Sequence, residues 1–575
     1  MSARSTIGDA LEARLTPTLR SHLGLILAVW FGLASRLVAV GQALNPGADI
    51  NSPVPRFGGT LRLAWSGDIR SLDPTTLYSD MEGVIAMMIY APLLDHDRNE
   101  RLVPKLATAL PTVSPDGRTY TFHLRPGVRF SNGGELVAED VVYSLERHLD
   151  PRFHSSYANY YMGLAGAAAF TAARSKELTV INTQGPGRNR RWVEPTTVSG
   201  LRALDRYTVE ITLDQPDVTF SDILATPYSV VVPREQVERW GDSFGTHPLG
   251  TGPFVMQEWQ RGIRYVLKRN PHYYRAPEPY LDAVEVLANV DLFTQQMMFE
   301  RGELDYVDGI NGQDLLRLQR LPQFKPCLAA VAGLSPKYIA LNCEMPPFTN
   351  RLVRQAMNFA VNKERLLKAN QGLGVIAHGV LPPTVKGFNP DLPGYPYDPA
   401  KARSLLAEAG LQEGFAVPFW FISDYYQIAL LVQQDLAAVG IAVQLHLVSG
   451  AALLDEAGRR KTVPMSIWSW GADFNDPKDT LDFLINGERI VDDGCLNYAF
   501  YSNPRVNELF HQAAPELDPR KRLGLYQELE RIVADDAPWI FLFNGDYYTL
   551  HPAWVKGYKM NSIWPDRLEE VWLAK

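Results

Sequence analysis

From Gly59 onward, apolar and polar residues alternate in TLRLAW, the period-two pattern of a β-strand. YTFHLRPGVRF (Tyr120–Phe130) holds two alternating runs broken at Pro126-Gly127, which predicts a hairpin. ELVAEDVVYSLERHL (Glu135–Leu149) repeats apolar residues at helical spacing, and its acidic first turn suits the helix dipole. The stretch from Ala165 to Arg202, with PGRNRR inside it, predicts an irregular insertion. The rhythm then changes. RLVRQAMNFAVNKERLLKAN (Arg351–Asn370) predicts an amphipathic helix, and DPAKARSLLAEAG (Asp398–Gly410) a helix with an Asp cap, Pro at its first position and Gly at its end. The strand AVPFWFI, the helix YQIALLVQQDLAAVG, the strand IAVQLHLV, a short helix and the strand PMSIWSW follow. Helices alternating with buried strands predict a parallel α/β sheet. CLAAVAG and KYIALN predict a hairpin around Gly333–Pro336. The late run APWIFLFNGDYYTL (Ala537–Leu550) predicts a strand that returns to the first lobe, so that two crossings form a hinge.

Composition narrows the class. With 575 residues, 46% hydrophobic and 21% charged, the chain has the make-up of a globular protein of several domains or lobes. A net charge of -8 argues against nucleic acid as the partner. Arg4, Arg14 and Arg20 precede LGLILAVWFGLA (Leu23–Ala34), with small residues at Gly41 and Ala43, the pattern of a secretory signal over residues 1–43. Spanning a bilayer takes about 20 apolar residues, and Arg36 interrupts this run. The mature protein is expected to be soluble and periplasmic, with a flexible leader over 44–56. No cysteine stands at the expected cleavage site, so lipid attachment there is not expected. Cys327, Cys343 and Cys495 have no metal spacing. A bridge between Cys327 and Cys343 and buried free thiols both remain open.

Catalytic signatures are missing from the sequence. The 11 histidines form no HExxH, and there is no GxSxG elbow and no P-loop. GLGVIAHG (Gly372–Gly379) follows a helix rather than a strand, against the dinucleotide pattern. No enzyme, cofactor or metal is expected.

One stretch carries chemistry. WSWGADFNDP (Trp468–Pro477) places the carboxylate of Asp473 among two tryptophans and a phenylalanine, at the carboxyl end of a strand. Ligands of α/β sheets bind beyond such ends, and a carboxylate in apolar company calls for a partner. The bland alternatives are an Asx turn at Asp473, a helix cap at Asp476 and core positions for both tryptophans.

The motifs together resemble the extracellular solute-binding proteins, family 5, of peptide ABC importers. The resemblance rests on SLDP (Ser71–Pro74), on PKLATALPTVSPDGRTYTFHLRPGVRFSNGGELVAEDVVYSLER (Pro104–Arg147), and on HPLGTGPF (His247–Phe254) and LKRNPHYY (Leu267–Tyr274). GELD (Gly302–Asp305), LNCEMPPFTNRLVRQAMNFAVNKE (Leu341–Glu364) and YSNPRVNELF (Tyr501–Phe510) complete it. It implies an α/β, two-lobed type II periplasmic-binding-protein fold (cluster C) with a hinge and an extra domain on lobe I. The expected spans are 57–325 for lobe I with the extra subdomain at about 75–200, 326–536 for lobe II, and 537–575 for the return to lobe I.

The implied role is capture of peptides in the interlobe cleft by a monomer and their delivery to an inner-membrane ABC permease with its ATPase subunits. By the same resemblance Asp473 binds a peptide α-ammonium, the backbone of Ser469 and Gly471 pairs with the peptide main chain, and Trp470 walls a side-chain pocket. Phe474, in the same segment, is expected to join the ligand-binding residues. In SSYANYYMGL (Ser155–Leu164), Tyr157 takes the place of a tyrosine that contacts ligand backbone, and Tyr78 and Asp80 fall in a pocket-lining loop. Gly250 and Gly252 are expected to meet tight backbone geometry, and Arg354 to form a structural ion pair.

Departures from the oligopeptide binders stand beside these matches. Ser335 and Gly471 occupy the places of their cysteine pair, and Ile467 that of a basic residue used on the peptide carboxylate. Arg459, Arg460 and Lys461 are nearby surface candidates. The alternatives are a binder of a non-peptide solute (a nickel chelate or an oligosaccharide), with Trp420, Trp468 and Trp470 as stacking platforms, and a secreted hydrolase.

Overall fold

The computed structural model describes residues 54–77, 79–184, 195–310, 312–370, 372–558 and 568–575. The expected signal, the leader through residue 53, Tyr78 and PGRNRR lie outside the described residues. Pro55–Lys575 is one body.

Its frame is a mixed sheet of eleven strands. Ten of them, numbered along the chain, are β1 (Thr60–Ala64), β2 (Phe254–Gln260), β3 (Arg264–Arg269), β4 (Ala283–Leu287), β5 (Tyr306–Asp308), β6 (Leu328–Leu341), β7 (Phe415–Phe421), β8 (Ile441–Leu447), β9 (Met465–Ser469) and β10 (Trp539–Leu550). Their spatial order is β8-β7-β9-β6-β10-β5-β1-β4-β3-β2, and the short strand Val375–Ile376 pairs with β10. β7 runs parallel to β8 and β9, as the alternating helices and strands predict, and β1 runs parallel to β4 and β5. β6 lies antiparallel to both β9 and β10.

Both faces of the β7–β10 region are covered. Ile540 and Leu542 of β10 face the helices Arg351–Ala360 and Tyr426–Ala437, while Trp539 and Phe541 face Pro477–Leu484, Pro504–Ala513 and Pro519–Asp536. That double burial explains the unbroken apolar run WIFLF. On the other lobe, Leu61 and Leu63 of β1 share a core with the helix Asp80–Ile89. A separate core spans Ala91 to Val231. It is built on a four-stranded antiparallel sheet (Thr112–Val113, Thr119–His123, Thr208–Thr212, Leu201–Asp205) and the helix Ala138–Leu149. This is the extra domain, and the fold is the two-lobed one expected.

Several local expectations need correction. The runs CLAAVAG and KYIALN form no hairpin: both belong to β6, which pairs with β10 along its length and absorbs the Gly333–Pro336 segment as a shift in register. Cys327, Cys343 and Cys495 are free thiols. The Pro126-Gly127 turn exists, with Gly127 at φ 77°, but Thr119–His123 pairs with Thr208–Thr212 and Thr112–Val113 instead of folding back. The expected helix Arg351–Asn370 is two helices, because Asn362 caps a second one at Lys363–Ala369. The first half of the expected irregular insertion is the helix Ala167–Gln184. Arg354 makes no ion pair among the described residues; its guanidinium donates to the carbonyls of Asp536 (2.9 Å) and Phe348 (2.7 Å).

The glycines of HPLGTGPF do meet tight geometry. A Cβ on Gly250 would lie 2.4 Å from the carbonyl oxygen of Ile89, and one on Gly252 would lie 2.5 Å from the Ile89 carbonyl carbon. Neither neighbour is a flexible side chain. Gly250→Ala is therefore expected to lower stability by about 1–3 kcal/mol, read as an earlier midpoint in urea unfolding. An unchanged midpoint would contradict this packing.

Candidate functional site

The site begins where β9 ends. Ser469 and Gly471 are exposed, and the chain turns into the helix Pro477–Leu484. Asp476 caps that helix, accepting from the amide of Lys478 at 3.0 Å. The Arg522 guanidinium grips the same carboxylate at 2.7 and 2.8 Å. With the strand fixed at one end and the cap at the other, the intervening segment is positioned firmly.

Asp473 projects from this segment toward the other lobe. Tyr160 Oη donates to its Oδ2 at 2.5 Å and Tyr228 Oη to its Oδ1 at 3.1 Å. Burial pushes the Asp473 carboxyl up to about 6, against the pull of the two phenols, and the negative charge of Asp80 adds to the rise. Asp479 lies behind it, fully buried, and accepts from the Trp470 indole (3.1 Å) and the Asp473 amide (3.2 Å). Burial and the Asp473 charge hold the Asp479 carboxyl well above the usual carboxylate range. The Tyr160 hydroxyl is nearer to Asp473 than to Asp479 (2.5 against 3.3 Å). Burial raises both carboxyls and the Asp473 charge raises Asp479 further, so the pair resists carrying two negative charges at once.

Aromatic rings enclose the carboxylate. Tyr157 and Tyr228 stack within 16° of parallel, and Phe483 meets Tyr160 edge-on with centroids 5.2 Å apart. Asp80, at the start of its helix, is open to the cleft yet walled by protein, so its carboxyl is also raised. Asp308 accepts from the hydroxyls of Tyr306 (3.1 Å) and Tyr547, and burial together with Asp80 raises it too. A cleft lined by such carboxylates and by ring faces stabilises a cation.

The segment also ties the lobes together. Phe474 is 1% exposed and seated in the core of the extra domain. Lys478 pairs with Asp217 at 2.5 Å, and the Asn475 amide donates to Glu100 at 3.1 Å.

Residues 101–490 match the family model of bacterial extracellular solute-binding proteins, family 5 Middle. The chain belongs to this family. The glutathione-binding protein GsiB of Escherichia coli strain K12 is 29% identical over 504 residues, 86% of this chain and 91% of the relative. Among solved structures, the periplasmic binding protein DppA from Helicobacter pylori in complex with the peptide STSA is similar at 28% identity and a TM-score of 0.78, over 90% of this chain and 99% of that one. The clavulanic acid biosynthesis oligopeptide binding protein 2 is similar at 25% identity and a TM-score of 0.80, over 91% and 97%. A family 5 solute-binding protein is a periplasmic binding component, not an enzyme, and serves a membrane ABC permease.

In this family 5 protein the structure brings Asp473, Trp470 and Tyr157 into one neighbourhood, with Ser469 and Gly471 beside them at the strand end. Asp80 joins through its charge, Phe474 is buried away in the extra domain, and Tyr78 lies outside the described residues. Trp468 stacks on Tyr498, with centroids 3.7 Å apart, as part of the core. Arg459 and Arg460 form surface ion pairs. Sequence reading missed Tyr160, Tyr228, Asp479 and Asp308. Tyr160 follows Tyr157 by one helical turn and could have been found from SSYANYY. Tyr228 had no local signal.

The raised Asp473 carboxyl has a consequence for stability. Its folded value lies above the unfolded one, so the native state holds an extra proton between about pH 4 and 6, and stability from this group falls as pH rises through that window. Relative to Asp473→Asn, the ligand-free wild type is expected to lose stability between those pH values in urea titrations. A constant difference would contradict the burial of this carboxyl.

Proposed function

We propose that this protein captures short peptides by their free amine, with Asp473 as the counter-ion, and presents the closed complex to its permease. The observation that carries the reading is the position of the Asp473 carboxylate, which faces across the cleft inside a tyrosine-rich enclosure. The relatives' ligands, glutathione and the peptide STSA, support a peptide-class solute. Backbone geometry supports it as well. The Trp470 amide donates to the Pro336 carbonyl at 3.3 Å, on the β6 side. Backbone groups alternate along a strand, so those of Ser469 and Gly471 turn to the opposite side. There β7 pairs with β9 only at Ser466, which leaves room for an added strand. In this proposal the mature chain begins after Ala43, and 57–325 with 537–575 closes against 326–536.

An ammonium sealed against a carboxylate is not a free gain, since both lose hydration, yet removing one partner of a buried pair typically costs about 3–5 kcal/mol. Asp473→Asn is expected to weaken peptide binding at least about tenfold, equivalent to about 1.4 kcal/mol. Calorimetry with glutathione and with tri-alanine, each free and N-acetylated, checks this. Wild type should prefer the free forms and the variant should not. Equal affinities for free and acetylated forms in wild type would overturn the role of Asp473.

A further inference from the structure

Lys337 lies at the centre of the sheet, on β6, opposite Ser469 of β9 and Phe543 of β10. Side chains of directly opposed residues share a face, so Lys337 stands beside the Ser469 side chain at the open end of β9. Its ammonium is held 5.6 Å above the Phe543 ring. It approaches the bare backbone at Gly545, where a Cβ would lie 3.5 Å from Nζ. Among the described residues it makes no hydrogen bond and no ion pair. Burial pulls the ammonium below the usual lysine range, and no carboxylate among the described residues is close enough to hold it up.

This arrangement is unusual in physical terms. A half-buried ammonium loses hydration, and cations so placed normally find a carboxylate. A ring face compensates only in part. The carboxylates of the same cleft, Asp473, Asp80 and Asp308, are engaged with phenols or with each other's field, and none perturbs Lys337. Lys337 is therefore not neutralised by any of these three carboxylates. Nearby, the position where the oligopeptide binders carry a basic residue is the buried Ile467, and Arg459 and Arg460 are occupied on the surface.

We propose that Lys337 binds a carboxylate of the ligand, so that the cleft selects solutes carrying an amine and a carboxylate at separate ends. The inference deepens the peptide reading above and rests on it for the amine end. The carboxylate comes from the peptide C-terminus or from an acidic side chain, two sources with one chemistry.

The test compares wild type, Lys337→Met and Lys337→Arg by calorimetry and thermal shift. The probes are tri-alanine, its C-terminal amide, its N-acetyl form, Ala-Glu-Ala amide, and succinate as a carboxylate without an amine. Wild type is expected to bind tri-alanine at least about tenfold tighter than its amide. Lys337→Met should lose that discrimination while keeping the preference for a free amine, and Lys337→Arg should retain both. Recovery of affinity by Ala-Glu-Ala amide would assign the carboxylate to a side chain. Discrimination that survives in Lys337→Met would overturn the proposal, as would failure of every probe, succinate included, to bind wild type. If acetylation makes no difference while the amide still binds weakly, the amine reading fails and Lys337 stands. Succinate that stabilises wild type but not Lys337→Met, with no peptide bound, separates the two in the same way. Ligand-free unfolding midpoints identify any variant that has lost its fold.

Discussion

The bonds from Tyr160 and Tyr228 to Asp473 are the contact around which this site is built. They run between lobes, and they join a carboxylate that burial disfavours to two phenols that favour it. Everything near them serves to keep that contact in place. Asp476 and Arg522 anchor the segment behind, and Phe474 plugs into the extra domain beside it. Burying a phenylalanine contributes roughly 1.5–3 kcal/mol, so opening the cleft means exposing Phe474 as well as breaking the phenol bonds. A ligand closes the protein only if it binds the closed arrangement better than the open one. An ammonium at Asp473 meets that condition, because it adds charge compensation to a carboxylate that the closed state desolvates.

The electrostatics of the cleft follow from the same geometry. Asp80 raises both Asp473 and Asp308, so the three carboxylates resist full ionisation together. Asp479, deeper still and raised by burial and by the Asp473 charge, accepts from the Trp470 indole and the Asp473 amide. A cation entering this region relieves repulsion as well as gaining an ion pair. Lys337 stands outside that field, on the β6 face shared with Phe543. Strand register, not closeness in sequence, sets Lys337 beside Ser469 and Phe543.

Much of the fold was legible because local signals agreed with the final packing. Asp398 and Pro399 start a helix where the pattern placed one, and TLRLAW, AVPFWFI and IAVQLHLV are strands. The failures share one cause. Gly333 to Pro336 has turn chemistry, yet the runs before and after it both pair with β10, and that shared partner converts a reversal into a bulge. Pro126-Gly127 likewise turns the chain without pairing its flanks, because Thr208–Thr212 is a better partner. At the site, Asp473 was legible from its apolar company and Asp476 from the proline after it. Tyr228 and Lys337 were not, since their roles depend on a distant partner or on the absence of one.

Proton release on binding tests the central claim most directly. If an ammonium takes Asp473, the ligand must displace the proton that the carboxyl carries below its raised value of about 6. Calorimetry at pH 5.5 in buffers of different ionisation enthalpy counts those protons. Wild type binding a free peptide is predicted to release a fraction of a proton per ligand, and Asp473→Asn none from this site. Equal release by both proteins, or none by wild type, would contradict the account.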